Sequence, residues 1–417
     1  MARYPGVYLL SMPFWATLAL GACGRDSEAP RNSGDGSSGT VSPPALSARP
    51  RPAPGRRPPE GLRPAPPRPD ATLVRALFRG GSGRRGRFPG PGPRARRLEV
   101  RYGARLAREV HASAVSDGRT VFLVSTRGLV VAARVSDGGI LWSRSTRAGV
   151  MAAPGVGGGH LFVGDRTGWV WCLGARTGAV RWKRKVIGAV RTALLPQAGR
   201  VVVGTHGGRL VSLDAATGTV RWEIKQRRPF VGLAGSPDGR VIAAASFDRR
   251  VRLLEASTGR VIWTAALKSS SRVAPVLTAR AVYILSASGD LSRHERQTGR
   301  QVWSQHDLGF KSFPPVVTGG RIYVASRKRL LYALDERTGR SRWVKPLSDI
   351  PSAAPVFARD SIFLATRGPR LLAIRADTGG HYVNHSLPSL VLAEPLPLGN
   401  GLLLVDQRGI ATFYVGK

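Results

Sequence analysis

The chain has 417 residues, and its 64 Lys and Arg stand against 25 Asp and Glu, for a formal net charge of +39. Its hydrophobic fraction of 42% supplies a large core, while two cysteines, Cys23 and Cys172, exclude a disulfide framework. Such a charge draws acidic surfaces and anionic headgroups, although only eight of the basic residues are Lys, so part of the Arg excess is compositional.

Residues 1–22 read as an export signal: Arg3, an apolar stretch from Tyr4 to Leu20 broken by Pro5 and Pro13, then small residues before Cys23. The stretch is too short and too interrupted for a membrane span. Leu20-Gly21-Ala22-Cys23 resembles the lipobox of bacterial lipoproteins. That resemblance implies acylation at Cys23 and a lipid anchor, and Gly24 in place of an inner-membrane retention Asp favours the periplasmic face of the outer membrane. In that compartment no nucleic acid partner is expected.

Residues 23–96 are expected to form a disordered tether. They are dominated by Pro, Gly, Ser and Arg, with sixteen Arg against five acids between Gly24 and Arg97, and they cannot bury enough surface to offset chain entropy.

From residue 97 to 417 the chain repeats. Val201 to Trp222 reads as strand, Gly-bearing turn, strand, tight turn, strand. Its last-turn glycine recurs as Gly138, Gly178, Gly218, Gly259, Gly299, Gly339 and Gly379. Trp142, Trp182, Trp222, Trp263, Trp303 and Trp343 follow four residues after the first six. A period of 40 or 41 with short strands predicts an all-β fold, an eight-bladed β-propeller. The innermost strands are expected in the Ala/Pro-containing segments His111–Val115, Met151–Val156, Arg191–Pro196, Leu233–Pro237, Arg272–Leu277, Ser312–Val317, Ser352–Phe357 and Leu392–Pro397. The eighth unit runs out of chain, so Glu99–Tyr102, with Tyr102 in the Trp slot, is expected to supply its outer strand and remove an open edge.

The pattern Asp/Glu-x-x-Thr-Gly-x-x-x-Trp, intact at Asp214–Trp222, Glu255–Trp263, Glu295–Trp303 and Asp335–Trp343, resembles the tryptophan-docking repeat of pyrroloquinoline-quinone (PQQ) type propellers. Two branches of that family differ in function. The quinoprotein dehydrogenases are much longer and commonly carry an adjacent cysteine pair, which this chain lacks. The BamB-like lipoproteins resemble it in lipobox, length and lack of cofactor residues. That resemblance implies a non-enzymatic, monomeric scaffold without cofactor, docking on a barrel-assembly component. A WD40-like scaffold is a third reading, suggested by Ser236–Arg240 and Ser246–Leu254, although the Gly-His and Trp-Asp pairs of that family do not recur.

No catalytic constellation is expected. The seven His are dispersed, and His381 with His385 falls in a turn region, which does not suit a metal pair. Asp165, Asp248, Asp290 and Asp406 are expected as solvated ion pairs with neighbouring Arg, and Cys172 as a small core residue. The working face is expected where the loops from outer to next inner strand and the turns between second and third strands open together. It collects Lys183, Arg184, Lys185, Arg227, Arg228, Arg249, Arg250, Arg327, Lys328 and Arg329, with Phe230 and Phe310 as apolar anchors for an acidic protein surface.

Overall fold

The computed structural model describes residues 86–87, 92–93, 98–309 and 313–416, and every regular element among them is a strand. The expected export signal, Cys23 and most of the expected tether lie outside the described residues. The strands form eight four-stranded antiparallel sheets, each one blade. Blade 3 shows the plan: strand a (Leu195–Gln197), strand b (Arg200–Gly204), strand c (Arg209–Asp214) and strand d (Val220–Lys225), in that spatial order.

Strand b explains why each unit must be packed on both sides. Val201, Val202 and Val203 are all fully buried, so the alternating sides of the strand are equally apolar and neither faces water. Side chains of one blade interdigitate with those of the next, and the core is a run of clusters between blades. One contains Ala152 and Phe162 with Val201 and Val211; the next contains Leu195 and Val202 with Leu233 and Ile242.

The eighth blade is completed as expected. Leu98–Arg105 pairs antiparallel with Ile410–Gly416, with Tyr102 opposite Phe413, so the first strand is the outermost strand of the last blade. Residues of blades 7, 8 and 1 then share one cluster that includes Phe363, Phe413, Tyr414 and Leu123.

Two expectations of extent are corrected. Seven of the inner strands begin later than the Ala/Pro segments do, and six of the eight start immediately after a proline, at Gly155, Phe230, Val276, Val316, Val356 and Leu396. Proline has no N–H to give to a ladder, so regular pairing starts beyond it. In blade 4 that proline, Pro229, stands earlier in the unit, and strand a runs six residues from Phe230 to Gly235, starting before the expected Leu233. The second correction concerns the edge of the propeller, placed at residue 97. Gly86, Gly92 and Pro93 are buried. Phe357 donates its N–H to the Gly86 carbonyl at 2.8 Å, and Gly92 donates to the Gly399 carbonyl at 2.9 Å. Part of the expected tether is therefore docked on blades 7 and 8.

Candidate functional site

The recurring tryptophans are structural, and the structure shows how. In blades 1 to 6, strand d ends its blade with an indole laid over the glycine turn of the following blade. Trp182 donates its ring N–H to the Ala215 carbonyl at 3.0 Å, and Trp222 donates to Ala256 at 2.9 Å. Gly218 lies at φ +73°, and a Cβ there would stand 2.6 Å from the Trp182 ring. The glycine thus serves two demands, a left-handed turn and the close approach of the indole. Arg144 and Arg184, two residues after their tryptophans, add bonds from Nε to the Gly178 and Gly218 carbonyls at 2.6 and 2.8 Å.

The loops from strand d to the next strand a share one side of the ring with the b–c turns. His206 donates its N–H to the Ala189 carbonyl at 2.9 Å, Phe247 to Pro229 at 3.0 Å and Arg367 to Ile350 at 2.9 Å, each from a b–c turn to a d–a loop. The a–b and c–d turns meet on the other side, as where Ala215 donates to Gly199.

Ion pairs stand on both sides of the ring, including Glu109 with Arg127 at 2.6 Å between a d–a loop and a b–c turn. On the a–b and c–d side, acids are engaged locally: Asp214 with Arg221, Glu255 with Arg260, Asp335 with Arg342 and Asp377 with Arg375. The Asp214 carboxyl is held down at about 2, first by the Thr217 N–H and then by Arg221. Asp335 is held lower still, chiefly by Arg342. On the d–a and b–c side, Arg227, Arg228, Arg249 and Arg250 are exposed and make no ion pair among the described residues. Arg249 takes φ 61°, which turns the chain tightly and leaves its side chain in solvent. Arg327 lies over the Phe313 ring, 5.9 Å from its centroid, and its guanidinium affinity for the proton is lowered by burial and by Arg367. Two guanidiniums held near each other without an acid between them suit an anionic group from outside.

Not every expected site residue joins this surface. Phe230, expected as an exposed anchor, is 1% exposed and packs in the core with Leu233 and Ile242. It opens strand a of blade 4, so its ring enters the inter-blade space. Arg184 has its Nε committed to Gly218. Lys328 pairs with Asp307 at 2.6 Å, and Arg329 donates to the Ser348 carbonyl at 2.8 Å. Lys183 and Lys185 lie on strand d of blade 2 (Val180–Lys185) beside Trp169 and Trp171. Phe310 lies outside the described residues.

The aspartates also depart from expectation. Asp248 does pair with Arg252, and Asp290 meets His306 at 2.8 Å. Asp165 and Asp406, however, are buried turn caps. Asp165 accepts from the Thr167 N–H and hydroxyl, the Trp169 N–H and the Trp171 ring N–H. Ser125, Thr205, Ser246, Ser286, Ser326 and Thr366 occupy the same point of the repeat and are likewise buried. A second 40-residue period, of short polar side chains at the b–c turn, runs through the sequence beside that of Gly and Trp and is the signal that marks these positions. His381 and His385 lie on strand d of blade 7 rather than in a turn. Four residues of extended chain set them ~13 Å apart. Cys172 is buried, which pushes its thiol up to about 12. Among the described residues, no three His, Cys, Asp or Glu side chains gather in a way that would hold a metal ion.

Comparison with known proteins agrees with this architecture. None of the curated proteins matches the chain significantly in sequence. Among solved structures, BamB from Moraxella catarrhalis superposes with a TM-score of 0.66 at 20% identity, covering 77% of this chain and 98% of that one. The quinohemoprotein alcohol dehydrogenase from Comamonas testosteroni superposes with a TM-score of 0.70 at 12% identity, covering 84% and 81%. Another quinohemoprotein alcohol dehydrogenase, from Pseudomonas putida HK5, gives 0.68 at 11%, covering 82% and 80%. At these identities the likeness is one of fold and does not choose between scaffold and enzyme. The sequence model of one family matches in overlapping segments, residues 94–229, 130–274, 229–311 and 287–379, which together cover more than half of the chain. The chain belongs to the family described as outer membrane protein assembly factor BamB.

Proposed function

We propose that the protein is a non-enzymatic scaffold, exported, acylated at Cys23 and held at the periplasmic face of the outer membrane. There its d–a and b–c face docks an acidic surface of a protein partner, of which a barrel-assembly component is the expected kind. The observation that carries the reading is the group Arg227, Arg228, Arg249 and Arg250, exposed on adjoining d–a and b–c segments and without ion pairs among the described residues. Family membership supports the partner class. With Phe230 in the core, affinity has to come from the guanidiniums and from whatever the partner brings between them.

Reversing Arg227, Arg228, Arg249 and Arg250 to Glu tests this. Steering by charge weakens with screening, so partner capture from detergent-solubilised membranes is expected to fall steeply at low salt while the melting temperature holds. Recovery of the same partners in the same yield would show that docking does not use this face. Fatty-acid analogue labelling of the wild type but not of Cys23→Ser tests the anchor.

The quinoprotein reading is the alternative, since two of the superposing structures are quinohemoprotein alcohol dehydrogenases. It is less well supported by the residues: no two cysteines are adjacent, and Asp165 is saturated by donors from its own turn. Titration with PQQ and calcium is expected to leave the quinone absorbance unchanged. Saturable binding with alcohol oxidation would replace the scaffold reading.

A further inference from the structure

Blade 2 departs from the repeat at one edge. Strand c of this blade (Trp169–Gly174) opens with Trp169 and continues with Trp171 on the same side of the sheet. At the first of these positions the other blades carry Leu129, Arg209, Arg250, Asp290, Leu330, Arg370 and Ile410. Across the ladder Trp169 faces Lys185 and Trp171 faces Lys183. The Lys183 ammonium stands 5.1 Å from the Trp169 ring centroid and 5.7 Å from that of Trp171, and the Lys185 ammonium stands 5.4 Å from Trp169.

Two ammoniums are therefore gathered on one indole. The ring attracts each of them, but nothing among the described residues neutralises them: neither lysine has an acid partner, and Lys185 only donates to the Thr167 carbonyl at 2.5 Å. The Trp171 ring N–H is taken by Asp165, whereas the Trp169 ring N–H has no partner among the described residues. Just beyond the strand, Ile187 is 61% exposed, the most exposed large hydrophobic among the described residues. Arg166, on the b–c turn of the same blade, is also exposed and without an ion pair among the described residues.

A half-exposed indole with a free N–H, two ammoniums on long apolar stems and an isoleucine projecting past them form a graded surface, polar to apolar. Trp and Lys side chains of this kind sit at the level of lipid headgroups, the ring at the boundary and the ammoniums reaching back to phosphate. We infer that this edge of blade 2 rests on a bilayer: Lys183, Lys185 and the Trp169 ring N–H take the phosphates of anionic phospholipid, and Ile187 enters the acyl boundary. The patch adjoins the Arg227 to Arg250 surface assigned to the protein partner across the Gly207–Gly208 turn, but it uses different side chains, so either assignment can fail alone.

The full chain carrying Cys23→Ser, which removes acylation, is the protein to test. Buried Cys172 is not expected to react, so a cysteine at Ile187 can take an environment-sensitive fluorophore, and one at exposed Ser257 on the opposite side serves as reference. With phosphatidylglycerol vesicles the label at 187 is expected to brighten and shift to the blue while that at 257 does not, and phosphatidylcholine vesicles are expected to have little effect. Each basic residue at an anionic surface strengthens binding by roughly fivefold. Lys183→Glu with Lys185→Glu should therefore raise the lipid needed for the 187 response by tenfold or more, although the Arg-rich N-terminal segment still brings the protein to the vesicles. Trp169→Phe, which keeps a ring and deletes the N–H, guards against a misfolded double variant and should weaken the response by a smaller factor. An unchanged label at 187 on vesicles that carry the protein down would overturn the inference. So would an equal response to soluble polyglutamate without lipid, which would hand the patch to an acidic protein.

Discussion

Tyr102 and Phe413 are cross-strand partners from the two ends of the chain, stacked with ring centroids 5.6 Å apart and 14° between their planes. The Tyr102 hydroxyl goes on to donate to the Val135 carbonyl of blade 1 at 2.8 Å, where other blades use an indole N–H. One residue thus closes the last blade and latches it to the first. A chain beginning at Ala104 is expected to lose cooperative melting, because it exposes the outer edge of Ile410–Gly416 and opens the blade 8 to blade 1 seam. Calorimetry checks this, and a single sharp transition near that of the full chain would show that the first strand is dispensable.

A chain beginning at Arg96 keeps that strand but loses Gly86, Arg87, Gly92 and Pro93. The two backbone hydrogen bonds they make to blades 7 and 8 are each worth about 1 kcal/mol. Such a chain should melt a few degrees below one that begins at residue 80. Equal melting temperatures would mean that the docked segment contributes nothing beyond proximity.

How much of this was legible follows from what repeats. Gly218 and Trp222 recur at a fixed interval with their chemistry intact, so blade number, turn positions and even closure through Tyr102 could be read. Inner-strand limits could not, because Pro154 and its equivalents interrupt a ladder whose other side chains look like strand. Phe230 was misread for a related reason: its neighbours Arg227 and Arg228 are loop residues, and only the uninterrupted strand a of blade 4 shows that the ring turns inward. The Trp169, Lys183 and Lys185 cluster joins residues on two paired strands, and it appears only once the c–d register is known.

The latch between blades allows a graded test at Trp222 and Gly218. Trp222→Phe keeps an aromatic plate over Gly259 and gives up the bond to the Ala256 carbonyl, a loss of about 1 kcal/mol. Gly218→Ala adds a Cβ at φ +73° that meets the Trp182 ring at 2.6 Å. The left-handed backbone alone costs about 1–2 kcal/mol, and displacement of the indole adds to it. Chemical denaturation should therefore rank wild type above Trp222→Phe above Gly218→Ala. A Gly218→Ala chain as stable as wild type would mean that the ring does not rest on the turn.

His294 lies at a position where blades 2, 3, 4 and 6 carry Leu173, Leu213, Leu254 and Leu334. It is buried and stacks near Trp263 with ring centroids 6.3 Å apart. One ring nitrogen lies 3.0 Å from the Gly299 carbonyl, to which it donates, and the other lies 3.0 Å from the Ser292 hydroxyl, from which it accepts. That arrangement suits neutral imidazole, and burial lowers its affinity for a proton below the ordinary value near 6.5. Because the unfolded chain then binds the proton more readily, His294 stabilises fully above about pH 6.5, and this contribution is lost as pH falls through the lower folded value. His381, also lowered, chiefly by partial burial, acts in the same direction, and the held-down carboxyls of Asp214 and Asp335 act only in stronger acid. His294→Leu leaves the Ser292 hydroxyl and Gly299 carbonyl without this partner, so it is expected to be the less stable protein at pH 8. Between pH 7 and pH 5, however, its melting temperature should fall less than that of wild type, with the remaining slope belonging to His381. Parallel losses in the two proteins would mean that His294 takes up its proton equally well folded and unfolded.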